Sequence, residues 1–192
     1  MKDTKENPSV PFLIGKKIIL RPLVEKDINK KYLCWINDRE VTKYMETGVF
    51  PTTLKELNDY YNRIKNSKTD VIFAICDKKT KKHIGNIKLG GINWIHRFAN
   101  LGIMIGDKNY WGRGYGQEAC KLLLEYAFKR LNINKITLGV YSNHKRAIKT
   151  YKKVGFVIEG RIKGIFYIDG KFLDHIIMGI AQKEYIKKYG NF

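Results

Sequence analysis

Apolar residues follow two rhythms along this chain, and the switch between them marks its elements. Lys17 to Leu23, closed by Arg21-Pro22, is a first strand, and Asp27 can cap a helix on which Ile28, Tyr32, Leu33 and Ile36 recur at helical spacing. Thr52 or Thr53 can cap a second helix, which carries Leu54, Leu57, Tyr60, Tyr61 and Ile64. Val71 to Cys76 is β-branched and predicts a strand, followed by a polar turn over Lys78 to Lys82. His83 to Leu89 and Ala99 to Ile105 predict two more strands, joined irregularly through Gly90, Gly91 and Trp94.

The pattern then changes. Gly106 to Arg113 is a loop. Gly114 to Leu131 has Ala119, Leu123, Ala127 and Leu131 on one helical face, and Lys135 to Val140 returns to strand character. A shorter helix over Lys145 to Lys153 ends at Gly155, where left-handed backbone is expected, and Phe156 to Ile158 resumes a strand. Asp169-Gly170 predicts a type I′ hairpin between Ile165 to Ile168 and Phe172 to Ile180, and an amphipathic helix runs from Gln182. Antiparallel strands, one crossover helix and further strands make an α+β fold rather than a doubly wound one.

The chain has 192 residues, enough for one domain with a core that needs no staples. We divide it into an N-terminal extension over 1–16 and a single domain over 17–192. Met1 to Pro11 carries no apolar signal region and no stretch is long enough to span a bilayer, so the expected compartment is the cytoplasm, with no membrane partner. Cys34, Cys76 and Cys120 are odd in number and sit in apolar segments, which favours buried free thiols. His83, His96, His144 and His175 show no metal-ligand spacing, so no metal is expected.

Lysine and arginine number 37 against 18 acidic residues, a net charge of +19. That surplus attracts anions of any kind: nucleic acid, an anionic cofactor or an anionic substrate. Lysine spread over solvated faces explains it equally well. The basic pairs and runs at Lys30-Lys31, Lys78 to Lys82 and Lys187-Lys188 do not obviously share one face, which argues against nucleic acid.

The stretch that carries chemistry is Tyr110-Trp111-Gly112-Arg113-Gly114-Tyr115-Gly116-Gln117-Glu118-Ala119. Glycine permits positive φ and close approach, and the first N–H groups of the following helix lack intrahelical partners, so the run can cradle a pyrophosphate. A tight turn would use the same glycines. The spacing fits neither the P-loop nor the dinucleotide fingerprint.

This run resembles motif A of the GNAT N-acetyltransferases, [RQ]-x-x-G-x-[GA], with Gly114 and Gly116 at the small positions and Trp111 in place of Arg or Gln. Tryptophan there resembles the subgroup that includes ribosomal-protein and many sugar acetyltransferases. Asn143, Ala147, Tyr151, Lys153, Gly155 and Phe156 are similar to the family's second signature, and Ile19 to Leu23 to its first strand. The likeness covers Lys17 to about Ile180 and implies a mixed, mostly antiparallel sheet of about seven strands flanked by helices.

The resemblance implies an enzyme that uses acetyl-CoA as cosubstrate. Ile103, Met104 and Ile105 would offer backbone groups to the pantetheine arm and thioester. Arg113, Gly114, Tyr115 and Gly116 would hold the pyrophosphate, and Asn143 the pantetheine region, although Asn143 can also cap a helix. Tyr151 would be the general acid that protonates the departing thiolate, its alternative being a core aromatic. Relatives often carry Glu where this chain has Asn100, and Asn is no base. Asp174, His175, His96 or water remain candidates.

For the acceptor, Trp35 to Asp38 and Tyr44 to Glu46 resemble acetyltransferases of amino-sugar and surface-polysaccharide pathways. The leading expectation is a small primary amine, with a nucleotide-linked amino sugar as the specific suggestion. The alternatives are a protein N-terminal acetyltransferase, a non-catalytic acetyl-CoA-binding protein and a nucleic-acid module. A homodimer paired through a C-terminal edge strand occurs in some relatives, and nothing in the residues compels it here.

Overall fold

The computed structural model describes residues 10–190; most of the polar start, Met1 to Pro11, lies outside the described residues. Eight strands form one sheet in the order β1-β2-β3-β4-β5-β6-β8-β7. They are β1 Leu13–Ile14, β2 Ile18–Pro22, β3 Val71–Asp77, β4 His83–Asn93, β5 Phe98–Ile105, β6 Lys135–Tyr141, β7 Val157–Ile168 and β8 Lys171–Ala181. All neighbours are antiparallel except β5 and β6, whose link is the one crossover helix. This is the α+β architecture that the alternating patterns imply. Leu13–Ile14, from the stretch assigned to the extension, pairs with β2 as an edge strand.

The helices are α1 Lys30–Asn37, α2 Arg39–Thr42, α3 Leu54–Lys65, α4 Tyr115–Lys129, α5 Lys145–Val154 and α6 Gln182–Tyr189. Alternation along the strands sorts side chains into two cores. Ile18, Leu20, Phe73 and Ile75 pack on the α4 face with Leu123, Leu124 and Phe128, whereas Ile19, Ala74, Cys76 and Met104 pack against Tyr32, Trp35 and Leu57 of α1 and α3. Both sheet faces are therefore covered over β2 to β5.

Several local expectations change. Asp27 does not cap α1; Asn29 accepts the N–H groups of Lys31 and Tyr32 instead. Asp27 is buried and takes two hydrogen bonds from the Arg21 guanidinium, at 2.6 and 2.7 Å, because a buried carboxylate needs a fixed counter-charge more than a helix needs a second cap. Cys34 is exposed, since α1 turns Tyr32, Trp35 and Ile36 inward, while Cys76 and Cys120 are buried. The strands foreseen at Phe156 to Ile158 and Ile165 to Ile168 are parts of one bulged strand, β7. Its turn has Asp169 at φ 49° and Gly170 at φ 80°, the paired positive values a type I′ turn requires.

Candidate active site

Hydrogen bonding between β5 and β6 stops at Asn100–Thr137, and the two strands then part. The opening is a cleft of about 630 Å³ with Ile103, Met104 and Ile105 on one wall and Gly139 and Val140 on the other. Strand ends that separate leave backbone N–H and C=O groups without strand partners, available to a ligand.

The start of α4 closes one end of this cleft. Gly112 (φ 73°) and Gly114 (φ 85°) make the reversals that other residues resist. The first helical bond of α4 runs from Glu118 N–H to the Gly114 carbonyl, so the N–H groups of Tyr115, Gly116 and Gln117 lie ahead of the helical ladder, on residues that line the cleft. A β-carbon on Gly116 would lie 3.7 Å from Ile103 and Ile105, an ordinary contact. Packing alone does not demand glycine there.

Four contacts hold the loop. The Tyr115 hydroxyl donates to Asp77 at 2.8 Å, Lys17 Nζ to the Arg113 carbonyl at 2.9 Å, and Lys17 N–H to Glu118 at 2.9 Å. Trp111 Nε1 donates to the Ile105 carbonyl at 2.7 Å. Trp111, which departs from the motif in sequence, thus ties the loop to the strand end, and it also lies 5.0 Å from the Arg146 guanidinium.

Of the residues assigned from sequence, Ile103, Met104, Ile105, Gly114, Tyr115, Gly116 and Tyr151 come together around the cleft. Two do not. Arg113 contributes its carbonyl to Lys17 while its side chain is exposed, and Asn143 lies outside the cleft, exposed, its carbonyl taken by Lys145 N–H. Asn143 does not cap α5, whose N-cap residue is His144. Arg146, Lys149 and Lys153 of α5 line the cleft instead and supply its positive charge. Arg146 and Lys149 were not foreseen and Lys153 enters only as part of the signature, although the run of cations along Lys145 to Lys153 is the visible signal.

The Tyr151 ring is half-buried beside Phe156, 5.8 Å away, and burial, with Cys120 nearby, raises its pKa above the ordinary phenol value. It therefore keeps its proton at neutral pH. Cys120 is fully buried and its thiol is pushed up to about 12, which removes it as a nucleophile. His144 also lines the cleft, stacked on Tyr44 at 4.1 Å, and burial and Arg146 push it down to about 4.

None of the residues considered as the base is among those that line the cleft, although His175 Nε2 lies against Gly139, which is. Asn100 accepts from the Thr137 hydroxyl at 2.8 Å, at the closed end of the splay. Asp174 is held by Gly164 N–H and paired with Arg161, His175 packs on Phe166, and His96 is exposed in the β4–β5 connection. Among the described residues no group of three or more His, Cys, Asp or Glu could hold a metal ion, and no helix is long and apolar enough to cross a membrane.

A second cavity, of about 330 Å³, lies across the sheet edge between α1, α3 and strands β3 to β5. Tyr32, Tyr60, Glu56, Asn86 and Lys88 are among its lining residues, and it shares Met45, Ile103 and Met104 with the cleft. Met45 belongs to the segment expected to bind the acceptor, and Ile36 of that expectation lines this cavity too. Two hollows that meet at one strand edge can bring two substrates together there.

Comparison with known proteins agrees with this geometry. A family model described as an acetyltransferase (GNAT) domain matches residues 17–157. Spermidine N(1)-acetyltransferase of Escherichia coli K12 is 31% identical over 172 residues, covering 88% of this chain and 89% of that protein. An uncharacterized N-acetyltransferase, p20 of Bacillus licheniformis, is 28% identical over 176 residues, covering 90% and 97%. A crystal structure of spermidine N-acetyltransferase from Vibrio cholerae, in complex with CoA and spermine, superposes with a TM-score of 0.82 at 30% identity, covering 90% of this chain and 99% of the other.

Proposed function

This chain belongs to the GNAT acetyltransferase family and is an acetyl-CoA-dependent N-acetyltransferase, and from that premise we propose that its acceptor is the primary amine of a small molecule bound in the second cavity. The observation that carries the reading is the meeting of the two hollows at Ile103 and Met104. An acceptor amine in one cavity can there lie next to the reacting end of a cosubstrate laid along the other, which makes the transfer effectively intramolecular.

Bound acetyl-CoA supplies a thioester whose carbonyl carbon accepts the amine and whose sulfur departs as thiolate. The free N–H groups of Tyr115, Gly116 and Gln117, with Arg146 and Lys149, fit the pyrophosphate and its charge. The open β5 edge at Ile103 to Ile105 orients the arm, and Trp111 holds that edge in place. Tyr151 delivers its phenolic proton to the departing sulfur, the acceptor nitrogen releases one proton to water as the amide forms, and solvent restores the phenol; burial keeps the phenolic proton available at working pH. A covalent enzyme intermediate is not needed.

Two of these relatives are named for spermidine, so a polyamine is one acceptor to test; they lend no support to the amino sugar expected from sequence. The test measures thiol release from acetyl-CoA with spermidine, spermine, simple diamines, amino sugars and N-terminal peptides, and identifies the product by mass. Acetylation of a small amine with no peptide modified is the expected outcome. Acetylated peptide without a modified small amine overturns the proposal.

A further inference from the structure

The second cavity has a polarity that a cation-binding site would not choose. Asn86 and Lys88 lie two residues apart on β4, so both face the same side of the sheet, about 7 Å apart along the strand. Lys88 lies beside its register partner Gly102, where a β-carbon would be 3.5 Å from its stem, and Gly90 leaves similar room for its ammonium group. Lys88 makes no ion pair within 4 Å among the described residues. Asp70 Oδ1 lies beside the same glycine, 3.1 Å from where its β-carbon would be, while Asp70 Oδ2 accepts from the Ser67 hydroxyl at 2.7 Å.

Asn86 adds a donor. His83 Nε2 is 2.9 Å from both the Gly85 carbonyl and Asn86 Oδ1. A carbonyl only accepts, so Nε2 carries the hydrogen and Asn86 must present its oxygen to it. The Asn86 amide nitrogen is then turned away from His83, buried at the cavity wall without a hydrogen-bond acceptor. Burial raises the pKa of the nearby Tyr32 phenol and the Asn86 side chain opposes that rise, although its amide nitrogen stands outside bonding geometry. A buried donor without a partner is a standing cost.

The carboxylate on this cavity's wall, Glu56, is engaged: its Oε2 accepts from Thr53 N–H and from the Thr53 hydroxyl, both at 2.7 Å. The wall thus presents an ammonium without an ion pair among the described residues, a buried amide donor behind it and a carboxylate with one oxygen committed to a helix cap. A polycation would bring several more positive charges to it. We propose that Lys88, with Asn86 beside it, makes this cavity select an amine that also carries an anionic oxygen group, such as a phosphate or carboxylate, over a bare polyamine. The inference rests on the acceptor site proposed above and names its substrate class.

Matched pairs test it. Glucosamine against glucosamine 6-phosphate isolates a phosphate, and putrescine against ornithine isolates a carboxylate on the same carbon chain; spermidine is the polycation. Turnover is read as kcat/KM, and equilibrium binding to CoA-saturated enzyme reads the same preference for amines that do not turn over. The wild type should favour the anionic member of at least one pair, and disfavour spermidine, by about tenfold or more, and whichever pair responds identifies the group. Lys88→Glu should reverse both preferences and Lys88→Met should abolish them. Each comparison is a ratio within one protein, so a lower folded fraction does not move it. A wild type that prefers spermidine, that discriminates within neither pair, or whose preference survives both substitutions overturns the inference. Failure of the broader reading looks different, because then no small amine is acetylated by any variant.

Discussion

Replacing Tyr151 by Phe removes one oxygen from the cleft and little else. The ring packs on Phe156 at 5.8 Å, and the hydroxyl makes no hydrogen bond identified among the described residues, so its loss leaves no stranded partner. Folding stability should therefore stay within about 0.5 kcal/mol of the wild type. Transfer should suffer much more. A general acid contributes about 10² to 10⁴ in rate, and at about 1.36 kcal/mol per tenfold this is a barrier increase of about 2.7 to 5.4 kcal/mol. The assay is single-turnover thiol release at saturating acetyl-CoA, alongside acetyl-CoA affinity and thermal denaturation. A second arm uses a thioester whose thiol is more acidic. Because such a leaving group needs less protonation, the gap between wild type and Tyr151→Phe should narrow. The raised phenol pKa adds a sign: the acid form persists through the ordinary phenol pKa of about 10, so Tyr151 ionisation should not depress the rate below that pH. A variant with unchanged affinity, unchanged melting and a rate within twofold of wild type refutes the role. So does an equal loss with both leaving groups.

Gly116→Ala should separate folding from binding. Alanine favours the helix by up to about 1 kcal/mol and its β-carbon meets only ordinary contacts, so melting should hold or rise while KM for acetyl-CoA increases. Removing Arg146 and Lys149 together should raise that KM several-fold at low salt, and the effect should shrink as ionic strength rises; a salt-independent effect would point to packing instead. Asp27→Ala strands the buried Arg21 guanidinium, a loss of about 3–5 kcal/mol that should appear as a fall of about 10 °C in Tm. Burial alone would raise the Asp27 pKa, but hydrogen bonds from Arg21 and Val24 N–H and the charges of His83 and Arg21 outweigh it and hold it low. The stabilisation is thus complete above the ordinary carboxylate pKa of about 4 and is lost as pH falls through the lower folded value. Melting curves should show the gap between wild type and variant closing in acid.

Much of the proposed cofactor side was readable along the chain because it is local. The glycines at 114 and 116, the helix that starts after them, and Tyr151 two helical turns beyond the loop at Asn143 are spaced by secondary structure alone. Chain periodicity likewise specifies two-sided burial: Ile18 and Leu20 alternate with Ile19, and Phe73 and Ile75 with Ala74 and Cys76. Capping was misread at Asp27 because a local rule cannot see Arg21 arriving from the neighbouring strand to claim the carboxylate.

The acceptor side was not readable in that way. Lys88 and Asn86 look like ordinary members of a strand, and Glu56 like an ordinary acid, until α1 and α3 fold over the same sheet face and enclose them in one cavity. Asn143 and Arg113 fit a linear motif yet are exposed and not among the residues lining the cleft, while the exposed Arg146 and Lys149 of α5 line its rim. The sequence by itself determined the elements, their amphipathic faces and the helix start that can receive a phosphate, since these depend on neighbours within a few residues. Only the tertiary structure decided where β5 and β6 part, which cations line the cleft and which donors remain unpaired, because those follow from contacts between segments far apart in the chain.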